Sequence, residues 1–170
     1  MDRLWTPWRF EYLRKADHES TCVFCRILEE SDDAANLVLF RGRNLFLILN
    51  LFPYTSGHLL IAVNRHIASL SEARPEELHA MIELARRCEE ALRREYHPSG
   101  YNMGFNLGRA AGAGVEHHLH MHIVPRWIGD SNFVSVVGET RILPEELPTT
   151  YQRLIPHFLA GRIAAAAQPA

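Results

Sequence analysis

The sequence has few cysteines, no long apolar run and little net charge. Three cysteines are an odd and low number for 170 residues, so we expect a reduced, cytoplasmic protein without a disulfide framework. No apolar run approaches the roughly 20 residues that span a bilayer, and the first residues lack the layout of a signal peptide. The formal net charge of −2 gives no reason to expect binding to long nucleic acid or to a membrane.

What is present is typical of a globular protein, with 47% hydrophobic and 22% charged residues. A chain of this length suits one domain with a sizeable core. We therefore predict a single domain over residues 1–170. It comprises an aromatic N-terminal arm over 1–20, a core over 21–127 and a C-terminal segment over 128–170.

The apolar pattern predicts an α+β class, with an antiparallel sheet of about five strands, one long helix and a short C-terminal helix. The long helix runs from Glu76 to Tyr96, where apolar residues recur every three or four positions. Pro75 would open it and Ser71 would be its N-cap. The short helix is expected around 148–164. Strands are expected over 37–40, 45–49, 58–63, 101–107 and 118–124.

Three histidines alternate with apolar residues in the last predicted strand. Because side chains two apart share a face of a strand, His118, His120 and His122 would form one row while the residues between them face the core. Packing does not explain such a row, since apolar residues would pack better. A metal site made by the row itself and chance alternation are the other interpretations.

A loop of small residues precedes this row and strengthens the case for function. It spans 106–115 and contains Gly112, Ala113 and Gly114, with Asn106 and Arg109 as side-chain donors. Small residues let an anionic ligand approach backbone N–H groups. An imidazole, with an ordinary pKa near ~6.5, is largely neutral and nucleophilic at neutral pH. The combination points to attack by histidine on a bound phosphate.

Two segments together resemble the histidine triad (HIT) superfamily. Residues 118–124 match its His-φ-His-φ-His-φ-φ motif, and the stretch from Asn50 through Pro53 to Gly57-His58 resembles its Asn…Pro-x-x-x-Gly-His segment. The resemblance covers roughly residues 20–127. It implies the HIT-like fold, an adenine nucleotide or dinucleoside polyphosphate substrate, a covalent nucleotidyl-histidine intermediate and a homodimer.

The same resemblance implies roles for individual residues. His120 would be the nucleophile, His122 would contact the α-phosphate and the leaving group, and His58 would support the row. Asn50 would bind the ribose, while Asn106 and the backbone of 112–114 would hold phosphates. Candidates for an apolar base pocket, for which plain packing is an equal alternative, are Phe24, Ile27, Phe46 and Leu49.

Residues 4–9 and 124–133 resemble one branch of the superfamily, the short diadenosine tetraphosphate phosphorylases. That branch implies phosphorolysis of the tetraphosphate to ADP and ATP. One departure is Gly114, which stands where the branch carries a serine. The alternatives are hydrolysis of nucleoside phosphoramidates or dinucleoside polyphosphates, and a non-catalytic nucleotide-binding or signalling protein.

Cys22-x-x-Cys25 has the spacing of a metal-ligand pair. One pair is weak evidence, because a tetrahedral zinc site needs two more ligands. The resemblance implies that His66 and His118 would complete a structural zinc site, with His118 then structural rather than catalytic. The alternative is two buried thiols without a metal.

Overall fold

The computed structural model describes residues 22–130 and 145–159. The predicted arm over 1–20 lies outside the described residues. So does the end of the 124–133 segment that resembles the phosphorylase branch. In the two described ranges, no helix combines the length and the apolar character needed to cross a membrane.

Five antiparallel strands form one sheet, in the order β1-β2-β3-β5-β4. The strands are β1 Val38–Arg41, β2 Leu45–Leu49, β3 Leu59–Val63, β4 Gly100–Gly104 and β5 His120–Arg126. Sequential strands β1 to β3 pair as neighbours, and β5 is inserted between β3 and β4. The predicted α+β class and antiparallel sheet are confirmed.

In the described part of the chain, three α-helices accompany the sheet, namely α1 Val23–Glu29, α2 Pro75–Tyr96 and α3 Leu147–Leu154, and residues 156–159 are also helical. The long helix is confirmed, but Ser71 is not its N-cap. Ser71 lies in a 3-10 turn, and Arg74 is the N-cap with extended backbone angles. A residue before proline is driven out of the helical region, so Pro75 fixes the helix start one residue after Arg74.

The limits of two strands, β4 and β5, also differ from the prediction. β4 ends at Gly104, three residues early, and β5 begins at His120 and extends to Arg126. The residue before β5, Leu119, accepts the N–H of Val63 at the end of β3 but donates its own N–H to the carbonyl of Ile67, beyond that strand. His118 therefore sits at the bend that leads into β5.

The two faces of the sheet bury separate apolar clusters. The larger lies under α2 and α3 and includes Leu47, Ile61, Met81, Leu92, Leu119, Met121, Ile123 and Phe158. The smaller lies under α1 and comprises Phe24, Ile27, Val38, Phe46, Ile48, Leu60 and Ala62. Alternation along β2, β3 and β5 assigns successive side chains to opposite clusters. The histidine row shares its face with the smaller cluster.

Gly57 joins the loop before β3 to the long helix. Its φ is +77°, and a Cβ at this position would lie 2.9 Å from Cδ2 of Leu92. Residues other than glycine rarely adopt this backbone conformation. The residue before the buried His58 is thus required to be glycine by its backbone and by its contact with α2.

We expect Gly57→Ala to lower the free energy of unfolding by about 1–2 kcal/mol, the cost of left-handed backbone for an L residue. Gly100→Ala is the matched control, because a Cβ there meets nothing within 4 Å and its φ is not positive. Urea denaturation of both variants measures the effect. Equal stability of the two variants would contradict this role for Gly57.

An ion pair fixes the start of α2 to the loop after β3. Arg65 donates to both carboxylate oxygens of Glu77, at 2.7 and 2.6 Å, and to the carbonyl of Glu72 at 2.9 Å. Glu77 is buried and also accepts the backbone N–H of Arg74 at 2.8 Å. The hydrogen bonds from Arg65 outweigh the opposing effect of burial and lower the pKa of Glu77 to about 2. This bidentate pair immobilises the residue that precedes His66.

Because the pKa of Glu77 is depressed from 4.5 to about 2, its ionised form stabilises the fold fully above about pH 4.5. That stabilisation is lost as the pH falls towards 2. We expect Glu77→Gln to be less stable at neutral pH and to lose part of the fall in stability over this window. The measurement is the free energy of unfolding against pH. The neighbouring Glu76→Gln, at an exposed position, should keep the wild-type profile.

Candidate active site and metal centre

The histidine row forms as the alternation predicts, although its first member precedes the strand. The rings of His120 and His122 lie 5.0 Å apart, and the ring of Phe24 lies 5.1 Å from both His118 and His120. The apolar residues between the histidines are buried in the larger cluster on the other face. The bend before β5 therefore leaves the row intact.

His120 is held in one defined orientation. Its Nδ1 lies 2.7 Å from the backbone carbonyl of His118, and because a carbonyl can only accept, Nδ1 carries the hydrogen. The lone pair of neutral His120 is then on Nε2. Burial lowers the pKa of His120, against the opposing hydrogen bond to the carbonyl. Nε2 of His120 is thus held in one direction, the arrangement that attack on a bound phosphate would need.

His58 and His122 form a second imidazole unit beside the first. His58 is 1% exposed, and its Nε2 lies 3.0 Å from Nδ1 of His122. The backbone N–H of Tyr54 donates to Nδ1 of His58 at 3.1 Å. These contacts connect the loop between β2 and β3 to strand β5. His58 thus contacts the last histidine of the row, and its supporting role stays a prediction.

The two asparagines lie on either side of this pair. Asn50 accepts the N–H of Phe52 with its Oδ1, and its Nδ2 lies 3.2 Å from Nδ1 of His58. The side-chain nitrogen of Asn106 lies 3.5 Å from Nε2 of His122. Both amides are within reach of a ligand that contacts His122.

The loop of small residues curls back towards the row. Arg109–Ala111 form a 3-10 turn that ends at Gly112, where φ is +81°. Ala113 is buried, and its N–H lies 3.4 Å from the carbonyl of Gly108. After Gly114 the chain enters the smaller cluster through Val115. The loop thereby connects Asn106 to the bend at His118, and its phosphate-binding role stays a prediction.

The base-pocket candidates divide between the two faces of the sheet. Phe24, Ile27 and Phe46 belong to the cluster on the histidine face. Leu49 belongs to the cluster under α2, on the opposite face. Phe46 and Leu49 are three apart in β2, so alternation directs them oppositely. The structure therefore does not support a place for Leu49 in the pocket.

Cys22, Cys25, His66 and His118 converge and could hold a metal ion, since one ligand atom from each lies within 4.8 Å of the others. The Sγ of Cys25 lies 3.2 Å from Nδ1 of His66, and Nδ1 of His118 lies 3.4 and 3.6 Å from the two sulfurs. Tetrahedral zinc, with bonds of about 2.3 Å to sulfur and about 2.0 Å to nitrogen, separates its ligand atoms by roughly 3.3–3.8 Å.

The donor chemistry of this quartet also suits a metal. His118 Nε2 lies 2.7 Å from the carbonyl of Val63, which fixes the hydrogen on Nε2 and leaves Nδ1 as the ligand nitrogen. Burial raises the pKa of Cys22, but contact with the His118 ring and backbone hydrogen bonds outweigh it and lower that pKa to about 6. Burial and the neighbouring Cys22 raise the pKa of Cys25 to about 11, so Cys22 is the first of the two thiols to ionise. A thiolate is the form of cysteine that binds metal.

Three contributors were not evident from the sequence. Tyr54 acts through its backbone N–H, for which residue type gives no signal. Arg65 holds the loop of His66 through Glu77, twelve positions away. Arg41 donates to Asp33 and to the carbonyls of Ile27 and Glu30, which fixes the end of α1. Of the three, only Arg65 had a signal in the sequence, because it directly precedes the predicted metal ligand His66.

Comparison with known proteins agrees with this geometry. A family model described as "HIT domain" matches residues 32–127. The "AP-4-A phosphorylase" of Mycobacterium tuberculosis is 35% identical over 162 residues, covering 91% of this chain and 83% of that protein. An uncharacterised HIT-like protein of Methanocaldococcus jannaschii is 32% identical over 120 residues, covering 71% and 89%.

Among solved structures, a Zn-bound histidine triad family protein from Mycobacterium smegmatis aligns with a TM-score of 0.66 and 29% identity. The alignment covers 85% of this chain and 97% of that one. The fold, the histidine row and these matches define the class: the chain belongs to the HIT domain family. Its sheet of five antiparallel strands matches the fold of that family.

We expect the quartet to bind Zn²⁺ and Cys25→Ser to weaken that binding by more than about 100-fold. Even outer partners of metal ligands are worth about 10- to 100-fold in affinity. The measurement is metal content by mass spectrometry after dialysis against buffered zinc. Cys88→Ala is the control, since Cys88 is buried in α2 and belongs to the larger apolar cluster. Retention of zinc by Cys25→Ser would contradict the assigned ligands.

Proposed function

We propose that the chain transfers a nucleotidyl group through a covalent intermediate on His120, and that its reaction is phosphorolysis of diadenosine tetraphosphate to ADP and ATP. The observation that carries the proposal is the 2.7 Å contact from His120 Nδ1 to the carbonyl of His118, which leaves Nε2 as the nucleophile. Family membership supports a nucleotide-processing role. The 35% identity to a protein named AP-4-A phosphorylase supports the substrate.

In the first step, Nε2 of His120 attacks the α-phosphorus of the dinucleotide. An N–P bond forms and the P–O bond to the remaining ATP breaks. In the second step, an oxygen of inorganic phosphate attacks the adenylyl-histidine, which releases ADP and regenerates neutral His120. Splitting one displacement into two lowers each barrier. His122, Asn106 and the 112–114 loop stabilise charge on the phosphate oxygens.

The nucleoside would lie on the side of Asn50 and the smaller apolar cluster. The amide of Asn50 is held by the N–H of Phe52, so its Nδ2 is presented in a fixed direction towards a ribose hydroxyl. Phe24 and Phe46, whose ring centroids lie 6.0 Å apart, are buried beside the row and give this side of the site its apolar character. Apolar surroundings suit a nucleobase.

The proposed metal is a structural zinc at Cys22, Cys25, His66 and His118. When bound, it supplies a rigid cross-link between α1, the loop after β3 and the bend before β5. His118 links this centre to the nucleophile, because its side chain faces the cysteines and its carbonyl holds His120. The Zn-bound relative from M. smegmatis supports the choice of metal.

Hydrolysis is the second candidate, and Gly114 favours it. The hydroxyl that the phosphorylase branch places here would help to hold inorganic phosphate, and glycine offers none. Water would then displace His120 and give AMP in place of ADP. The two reactions share their first step and differ only in the attacking oxygen.

We expect purified protein and diadenosine tetraphosphate to give ADP and ATP in a phosphate-dependent manner, as measured by chromatographic separation of the nucleotides. AMP and ATP without phosphate would assign the hydrolase instead. His120→Gln should lower turnover by more than about 10³-fold, as expected for loss of a nucleophile. The control is His117→Gln, whose side chain is 75% exposed. Absence of turnover in the wild type, with or without phosphate, would overturn the enzymatic proposal.

A further inference from the structure

The loop before the histidine row carries a single polar side chain. Apart from Arg109, residues 107–115 are leucine, glycine, alanine and valine. Arg109 is also the only arginine between positions 95 and 125, a range that contains no lysine. The loop can therefore contact a ligand through its backbone N–H groups and through this one guanidinium.

Both ends of this loop lie on the face of the histidine row. At its start, the side-chain nitrogen of Asn106 lies 3.5 Å from Nε2 of His122. At its end, Val115 packs against the smaller apolar cluster, which shares a face with the row. Arg109 opens the 3-10 turn between these two anchors. It therefore follows, by three residues, the asparagine that contacts His122.

The ion pair of Arg109 is long and exposed. Its Nε lies 3.5 Å from Oε1 of Glu116, and the Arg109 side chain is 69% exposed. By contrast, Arg41, Arg65 and Arg126 each lie 2.6 Å from a carboxylate oxygen. An exposed ion pair between two flexible side chains adds little to stability. Arg109 can therefore exchange the carboxylate of Glu116 for a phosphate group at small cost.

A polyphosphate ligand would need a cation at this place. Each of its phosphates carries a negative charge, whereas the amides of Asn50 and Asn106 and the N–H groups of the loop carry no net charge. A guanidinium donates two parallel hydrogen bonds to a phosphate, and these are strengthened by the opposite charges. Arg109 is the residue of the loop that can supply both the charge and the hydrogen bonds.

The two proposed steps use the same side of the phosphorus atom. In each step the attacking atom and the leaving atom lie roughly in line through phosphorus. The first leaving oxygen therefore departs on the side opposite Nε2 of His120. The acceptor must approach the adenylyl-histidine from that side as well, because it displaces the same nitrogen. One anion subsite then serves the departing nucleotide and the incoming phosphate.

We infer that Arg109 is the specificity-determining residue of this anion subsite. It binds the β-phosphate of the departing nucleotide in the first step and inorganic phosphate in the second, and the carboxylate of Glu116 competes with both. Because water carries no charge for Arg109 to bind, the residue favours phosphate as the acceptor. This inference rests on the proposed nucleotidyl transfer to His120.

Calorimetric binding of AMP and ATP tests the subsite without turnover, in a His120→Gln background that cannot form the intermediate. AMP carries only the α-phosphate, whereas ATP adds two phosphates on the leaving side. We expect Arg109→Gln to weaken ATP binding about tenfold or more, the scale of a lost charged hydrogen bond, and to leave AMP binding within about twofold. Unchanged ATP binding, or an equal loss for AMP, would overturn the inference whatever the protein catalyses.

Glu116→Gln, in the same background, breaks the same ion pair from its other side. Because it removes the competing carboxylate and keeps the guanidinium, we expect ATP to bind more tightly. If the pair only clasped the loop, both substitutions would weaken ATP binding, and that result would overturn the inference. Arg94→Gln is the control for the loss of one positive charge, since Arg94 is exposed on α2. An equal loss of ATP affinity in this control would also overturn the inference.

The ratio of ADP to AMP formed from diadenosine tetraphosphate at a fixed phosphate concentration tests the role in acceptor choice. The ratio compares two fates of one intermediate, so it does not depend on the rate of the first step. With His120 intact, we expect Arg109→Gln to lower this ratio about tenfold or more relative to the wild type. An unchanged ratio, or AMP as the wild-type product at every phosphate concentration, would overturn the acceptor role. Absence of turnover together with the expected ATP binding would reject the proposed function and leave the phosphate subsite standing.

Discussion

The hydrogen bond from His120 Nδ1 to the carbonyl of His118 is the contact on which the rest of the site depends. It ties a side chain to the backbone two residues earlier, so the proposed nucleophile is oriented by the path of the chain itself. That path is fixed in turn by the side chain of His118, which reaches the carbonyl of Val63 and the two cysteines. One residue therefore links the proposed metal centre, the sheet and the proposed nucleophile.

The two faces of the sheet bury different kinds of side chain, and the apolar face holds the polar row in place. The face under α2 and α3 holds the larger apolar cluster, which anchors β5 through Leu119, Met121 and Ile123. The other face combines a smaller apolar cluster with the polar row. His118 and His120 are buried while His122 is only half-buried, so the row is open to a ligand on the side of His122.

Much of this could be predicted from local patterns, and the exceptions have physical reasons. Alternation located the row and the sheet, and the resemblance of 118–124 to a known motif supplied the partners of Cys22 and Cys25. The prediction of Ser71 as N-cap is wrong because Pro75 keeps the residue before it out of the helical conformation. The helix therefore begins at Pro75, although Ser71 is a good capping residue. The structure places Leu49 away from the predicted base pocket, because side chains three residues apart in a strand lie on opposite faces. The contribution of Tyr54 lies in a backbone amide, which its side chain does not reveal.

The pairing of Arg65 with Glu77 makes the loop after β3 part of the longest helix. A loop that carries one metal ligand would ordinarily open on its own, with little more than its turn to hold it. Here, opening the loop also frays the first turn of α2, since the same carboxylate accepts the N–H of Arg74 and both donors of Arg65. We therefore expect the His66 segment to open together with the first turn of α2, a helix of 22 residues, and not on its own.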